Sequence, residues 1–118
     1  MESVDHNRWE KALINELTFL SKDQNQKKLK SIFFGGGTPS LMKPETVFKA
    51  IQAAKQIWDV KKPIEITLEA NPSSIEYQTF NSFKQAGINR VSLGIQAFDD
   101  NALSFLGRNH DRLDAINA

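Results

Sequence analysis

Cysteine is absent from the 118-residue sequence. Its absence excludes a disulfide framework, a cysteine nucleophile and any metal held by thiolates of this chain. Charge imbalance is lacking too. Fifteen Lys and Arg stand against fourteen Asp and Glu, a net charge of +1, which gives no reason to expect a nucleic-acid or acidic-membrane partner. No apolar run approaches the roughly 18 residues a membrane span needs. The polar start, Met1-Glu2-Ser3-Val4-Asp5-His6, lacks a signal-peptide core, so the expected location is cytoplasmic. What is present, 40% apolar and 25% charged residues, is the composition of a globular chain rather than a disordered one. The length suits one small domain or a piece of a larger one.

Six glycines and four prolines punctuate the chain. Residues 5–20 read as a helix capped by Asp5, with Trp9, Leu13, Leu17 and Leu20 on one buried face beside Ala12. A polar loop leads to the apolar strand 31–34, which stops at Gly35-Gly36-Gly37. Pro44 opens a second helix, where its missing N–H costs nothing, with Val47, Ile51, Ala54 and Trp58 as its buried stripe. The second strand is 64–69, alternating and β-branched. Ser73 and Glu76 have capping-box spacing for a third helix, which Gly87 ends at φ > 0. The third strand is 90–95. Asp99 caps a fourth helix carrying Leu103 and Leu106 and ended by Gly107, and Asp111 caps a fifth. Trp9, Trp58 and the eight Phe residues read as packing.

Strands alternate with helices at steps of about thirty residues, the size of a βαβ unit. The expected fold class is α/β, with three parallel strands in sequence order and helices on one face. Three strands are few, and the open sheet edges would invite further strands. The expectation is a slice of a larger α/β domain, able to self-associate or to pair with a complementary chain through those edges.

Ligands of parallel α/β folds bind beyond the C-terminal ends of the strands. That is where the polar and glycine-rich residues of this sequence gather. Three consecutive glycines exceed what a turn requires, which favours a ligand lying close to the bared backbone over a turn needed only for folding. They are neither a Walker A loop nor a G-x-G-x-x-G fingerprint. Glu69, at a strand end, is a solvated or salt-bridged acid, or the acceptor for a ribose diol. Gln96 is a loop amide or binds a ligand edge. Arg108 is a surface cation or the bidentate partner of a ligand carboxylate. His110, with no second His or Cys nearby, reads as a loop or capping histidine before it reads as a base or metal ligand. Singly these residues are unremarkable, but their joint placement on consecutive strand ends points to a site.

Four segments, in order, carry a resemblance: Phe33-Phe34-Gly35-Gly36-Gly37-Thr38-Pro39-Ser40, Leu68-Glu69-Ala70-Asn71-Pro72, residues 89–98 from Asn89 to Phe98, and Leu106-Gly107-Arg108-Asn109-His110. Together they resemble the radical S-adenosylmethionine enzymes of the oxygen-independent coproporphyrinogen III oxidase family, and within it the haem chaperone branch. The resemblance runs from about Trp9 to the end. It implies a three-stranded parallel slice of a partial (β/α) barrel, TIM-like in plan. It also implies that Gly36, Gly37 and Thr38 lie against the methionine moiety of S-adenosylmethionine, and that Glu69, Gln96 and Arg108 bind the same cofactor. Porphyrin or haem would be the partner of the complete protein.

The family's cluster loop, Cys-x3-Cys-x2-Cys, precedes the first helix and ligates a [4Fe–4S] cluster. This chain has no Cys to supply. Residues 1–118 are therefore expected to be an incomplete core domain without the cluster loop, the first strand and the C-terminal part, and unable to catalyse alone. Such a fragment would be a split-gene product, a decayed gene or an incomplete stretch. The competing readings are a fragment of an authentic coproporphyrinogen III dehydrogenase, and a non-catalytic remnant or subunit of a split protein.

Overall fold

Helix α1 (His6–Leu20) begins where Asp5 Oδ1 accepts the N–H of Arg8 at 3.0 Å, the cap its sequence predicts. The computed structural model describes residues 4–24, 27–72 and 77–118. Strand β1 (Ser31–Phe34) follows, then a 3₁₀ turn at Pro39–Leu41 and helix α2 (Pro44–Ile57), with Pro44 in its first turn. Strand β2 (Glu65–Ala70) leads to α3 (Tyr77–Ala86) and β3 (Arg90–Leu93). Ser73 and Glu76, read as a capping box for α3, lie outside the described residues. Helix α4 (Asp100–Phe105) is capped by Asp99, and α5 (Arg112–Asn117) by a reciprocal Asp111–Asp114 pair.

Among the described residues the sheet has three strands in the order β1-β2-β3, all parallel. This is the expected α/β class. The register sets Phe34 level with Leu68, and Leu68 level with Val91. Asn89 locks β3 onto the central strand before the ladder begins. Its side chain accepts the N–H of Ile66 and donates to the carbonyl of Ile64, each at 2.8 Å.

Alternation along β2 sends Ile66 and Leu68 to one face. There they meet Val47 and Ile51 of α2, Phe83 and Ala86 of α3, and Ile88, with Ile32, Phe34, Met42 and Ile64 packed around them. Each such large side chain contributes about 1.5–3 kcal/mol on full burial. The other face carries a polar line in which Arg90 Nη1 donates to Glu65 Oε1 at 3.3 Å and to Thr67 Oγ1 at 3.4 Å.

Several packing expectations are corrected. Helix α1 buries no residue, and Trp9 is 64% exposed. The helix docks on α2 rather than on the sheet, so Trp9 and Leu13 line an open apolar groove of ≈ 410 Å³ with Leu41 and Met42. Leu20 is exposed and Leu17 half-buried. Trp58, one residue past α2, is also half-buried. Of the eight Phe side chains only Phe83 is fully buried; Phe19, Phe33, Phe48, Phe98 and Phe105 are exposed. A stripe read from periodicity marks a face that favours cover, and here a three-stranded sheet covers few of them. Strand β3 stops at Leu93 rather than 95, because Ile95 N–H turns back to Leu93 O and Ala97 N–H to Ile95 O. No helix among the described residues is long and apolar enough to cross a membrane.

An ion-pair cluster fastens α1 to α2. Lys49 Nζ lies 2.9 Å from Glu10 Oε1 and 2.9 Å from Glu45 Oε1, and Thr46 Oγ1 donates to Glu10 Oε2 at 3.2 Å. The hydrogen bond from Lys49 holds the Glu10 carboxyl below the usual carboxylate range, and the same bond, then Glu45, holds the Lys49 ammonium above its usual value. A lowered folded value means that Glu10 stabilises docking above the ordinary glutamate range and loses that contribution as pH falls through the folded value. The Lys49 contribution is complete below the ordinary lysine range and is lost as pH rises through its raised value. Glu10→Gln should therefore speed amide exchange in α1 at neutral pH. The difference between wild type and variant should vanish in acid well below about pH 4. Exchange rates in α1 that are identical at neutral pH would show that the ion pair does not hold the helix.

Candidate functional site

The level register brings three strand ends together. Gly35-Gly36-Gly37 follows β1, Glu69-Ala70-Asn71 ends β2, and Gly94-Ile95-Gln96 follows β3. A fourth segment, Gly107-Arg108-Asn109-His110, arrives from α4. Its chain reversal is a Schellman turn, in which Gly107 N–H bonds Ser104 O and Arg108 N–H bonds Leu103 O.

The three glycines have different causes. A Cβ at Gly35 would stand 2.6 Å from the Phe33 ring and 3.2 Å from Glu69 Oε2, so a side chain there would force the Phe33 ring to shift. Gly36 and Gly37 have φ of 83° and 58°, in the left-handed region, with nothing within 4 Å of a Cβ. Crowding thus accounts for Gly35 and backbone conformation for Gly36 and Gly37, so the expectation that three glycines exceed what the turn requires is corrected; the space above the last two lies open. The Gly36 N–H donates to Glu69 Oε2 at 3.0 Å, fastening the first strand end to the second.

Arg108 fastens the second to the third. Its Nη2 donates to Asn71 Oδ1 and to Gly94 O, both at 2.7 Å. Its Nε is buried without a partner among the described residues. His110 is 4% exposed, and its Nε2 lies 2.9 Å from Ile95 O. A carbonyl only accepts, so Nε2 carries the hydrogen; Nδ1 is buried without a partner among the described residues. Buried polar atoms without protein partners are exceptional in folded chains. Gln96 is the one non-glycine residue of positive φ among those described, at 66°.

Gly37, Thr38, Glu69, Gln96 and Arg108 line one cleft of ≈ 340 Å³, inside the range of about 300–1,000 Å³ usual for small-molecule sites. Pro39, Ala70, Asn71, Ser92, Leu93 and Gly94 complete its wall. Gly36 is not on that wall; its N–H donates to Glu69, which is. Sequence reading missed Asn71 and Ser92 as lining, and it placed His110 no further than a loop or a cap. The Leu-Gly-Arg-x-His run was a signal for His110, but nothing in it says which carbonyl the ring meets.

Residues 8–118 match the family model of the radical SAM superfamily. The chain belongs to that superfamily. It is 47% identical over 93 residues to the heme chaperone HemW of Haemophilus influenzae, covering 79% of this chain and 24% of that protein. It is 40% identical over 113 residues to the mitochondrial radical S-adenosyl methionine domain-containing protein 1 of Bos taurus, covering 96% of this chain and 26% of that one. In structure it resembles coproporphyrinogen III oxidase (HemN) of Escherichia coli, with a TM-score of 0.78 at 20% identity over 95% of this chain and 26% of that chain. The fold is thus that of a radical SAM partial barrel, like that of HemN. It spans about a quarter of the length of these curated relatives.

The superfamily implies S-adenosylmethionine and a [4Fe–4S] cluster in complete proteins. The donor set here suits the first. A carboxylate takes ammonium or hydroxyl donors, the unpartnered Arg108 Nε offers a donor of its own, and the Gln96 amide does both. The set does not suit the second. The sequence has no cysteine, and no group of three His, Asp or Glu among the described residues is placed to hold a metal.

Gly35→Ala tests how the rim is built. It should cost about 1–3 kcal/mol by crowding Phe33, and most of that cost should disappear in a Phe33→Ala background. Urea midpoints of the four proteins measure both terms. Equal costs in the two backgrounds would locate the conflict elsewhere.

Proposed function

We propose that the strand-end cleft binds S-adenosylmethionine, as part of a radical SAM core in a haem-handling protein of the HemW type. The observation that carries this is the convergence of Thr38, Glu69, Gln96 and Arg108, from four separate segments, on one cleft at the C-terminal ends of parallel strands. Gly37 and Thr38 offer an open backbone edge to the ligand, and Gly36 acts through Glu69 by orienting its carboxylate. Glu69 accepts hydrogen bonds from the ligand, and Arg108 and Gln96 fix its polar end. S-adenosylmethionine held there would supply a sulfonium for reductive carbon–sulfur cleavage. The cysteine-free sequence offers no thiolate to the cluster that would provide the electron, so we assign residues 1–118 to binding and orientation.

The haem-chaperone branch is supported by relatives that carry that name at 34–47% identity. The oxidase reading has the HemN fold behind it, which at 20% identity supports architecture alone. Haem or porphyrin is then the partner of the complete protein. A cytoplasmic location and association through the open edges of β1 and β3 belong to the same proposal. A Soret titration against a coproporphyrinogen decarboxylation assay, on a complete protein carrying this segment, separates the two branches. Haem binding without decarboxylation is the expected outcome.

Calorimetric titration with S-adenosylmethionine tests the site. Glu69→Gln keeps an acceptor for the Gly36 N–H but removes the charge. A charge-assisted hydrogen bond is worth roughly 1.5–3 kcal/mol, so affinity should fall about tenfold to over a hundredfold with the melting temperature preserved. Gly37→Val is the weaker probe, because a branched residue at φ 58° strains the turn by itself. Unchanged affinity in Glu69→Gln would overturn the assignment.

A further inference from the structure

We propose that His110 is a positioning residue for Gln96: its buried Nε2–H holds the carbonyl of Ile95 and thereby keeps Gln96 in the left-handed conformation that faces the cleft. The inference deepens the binding site proposed above and rests on that reading for its functional meaning. Residue 96 carries a full side chain at φ 66°, a conformation that ordinary residues leave unless their neighbours enforce it. Four contacts enforce it here. The Gly94 N–H is taken by Ala70 O at 2.9 Å, the Gly94 carbonyl is taken by Arg108 Nη2 at 2.7 Å, and the Ile95 carbonyl accepts both the Ala97 N–H at 2.8 Å, which closes a tight turn across Gln96, and His110 Nε2–H at 2.9 Å, which fixes that carbonyl from outside the turn. Consecutive carbonyls before Gln96 are thus held by two side chains from one loop, itself set by the turn after α4.

Arg108 lines the cleft and can meet a ligand directly. His110 does not line it, and is nearly inaccessible at 4% exposure. Its ring is committed to a backbone oxygen one residue from Gln96. A base or metal ligand would present a nitrogen to the cleft, whereas this ring presents one nitrogen to Ile95 and buries the other. Its action on a ligand therefore passes through the 94–97 backbone.

Three variants decide the matter. His110→Phe keeps the ring volume and removes the donor. His110→Gln places an amide N–H at comparable reach. Gln96→Gly removes the side chain and relaxes the left-handed residue. In the unliganded chain, Gln96 should show the strong intraresidue HN–Hα Overhauser effect of positive φ, lose it in His110→Phe and regain it in His110→Gln. S-adenosylmethionine affinity should fall about two- to tenfold in His110→Phe, recover in His110→Gln, and fall no further when His110→Phe is added to Gln96→Gly. An Overhauser effect that persists in His110→Phe, or losses that multiply in the double variant, would overturn the proposal. Should wild type show no affinity for S-adenosylmethionine, the ligand reading fails by itself, and the Overhauser measurement still decides whether His110 sets Gln96. Should His110→Phe not fold, His110→Asn, too short to reach Ile95, carries the same comparison.

Discussion

The rim depends on Leu68 lying level with Phe34 on one side and Val91 on the other. A parallel register fixes where each strand runs out. With that level set, the glycine turn, the Glu69 carboxylate and the Gly94–Gln96 loop emerge side by side. A slip of one residue would turn Glu69 to the helix-covered face and Leu68 to the open one. The burial of Leu68 and Ile66 against α2 and α3 resists that slip, so the apolar core sets the geometry of the polar rim.

Around that register the site is laced by contacts between segments far apart in the chain. Glu69 receives Gly36 across 33 residues, and Arg108 reaches Asn71 across 37 and Gly94 across 14. Each of these side chains has a structural and a prospective ligand-facing use. Glu69 orients a turn with one oxygen, and Arg108 clamps two loops with one nitrogen while its buried Nε stays without a partner among the described residues. Such a site is held in shape before a ligand arrives, which limits the ordering that binding must impose.

The described fold leaves much apolar surface uncovered. Phe105 is 91% exposed, and Trp9, Leu41, Leu113 and Ile116 are exposed as well. Small α/β units bury a modest share of their surface, and here helices cover one sheet face while the other carries Arg90, Glu65 and Thr67. The curated relatives are three to four times longer than the stretch they share with this chain, and the proposed activity belongs to the architecture of that length.

The sequence by itself determined what is local. Asp5, Asp99 and Asp111 cap their helices as their side chains dictate, Pro44 opens α2, and Gly87 and Gly107 take positive φ where helices end. Strand and helix order, and hence the α/β class, followed from periodicity, because period and caps act within a few residues. The ordered motifs also pointed to the family and to most of the cleft. Only the tertiary structure decided what covers each apolar stripe, which left Trp9 and most phenylalanines exposed. It also decided that Gly35 is set by crowding against Phe33 while Gly36 and Gly37 are set by conformation, that β3 stops at Leu93, and that His110 is buried against Ile95. The Gly35 crowding and the end of β3 turn on side-chain and backbone geometry within the loop, which residue types alone do not fix, while the His110–Ile95 and Gly36–Glu69 contacts join partners 15 and 33 residues apart, a distance set by the register of the sheet, which no local pattern contains.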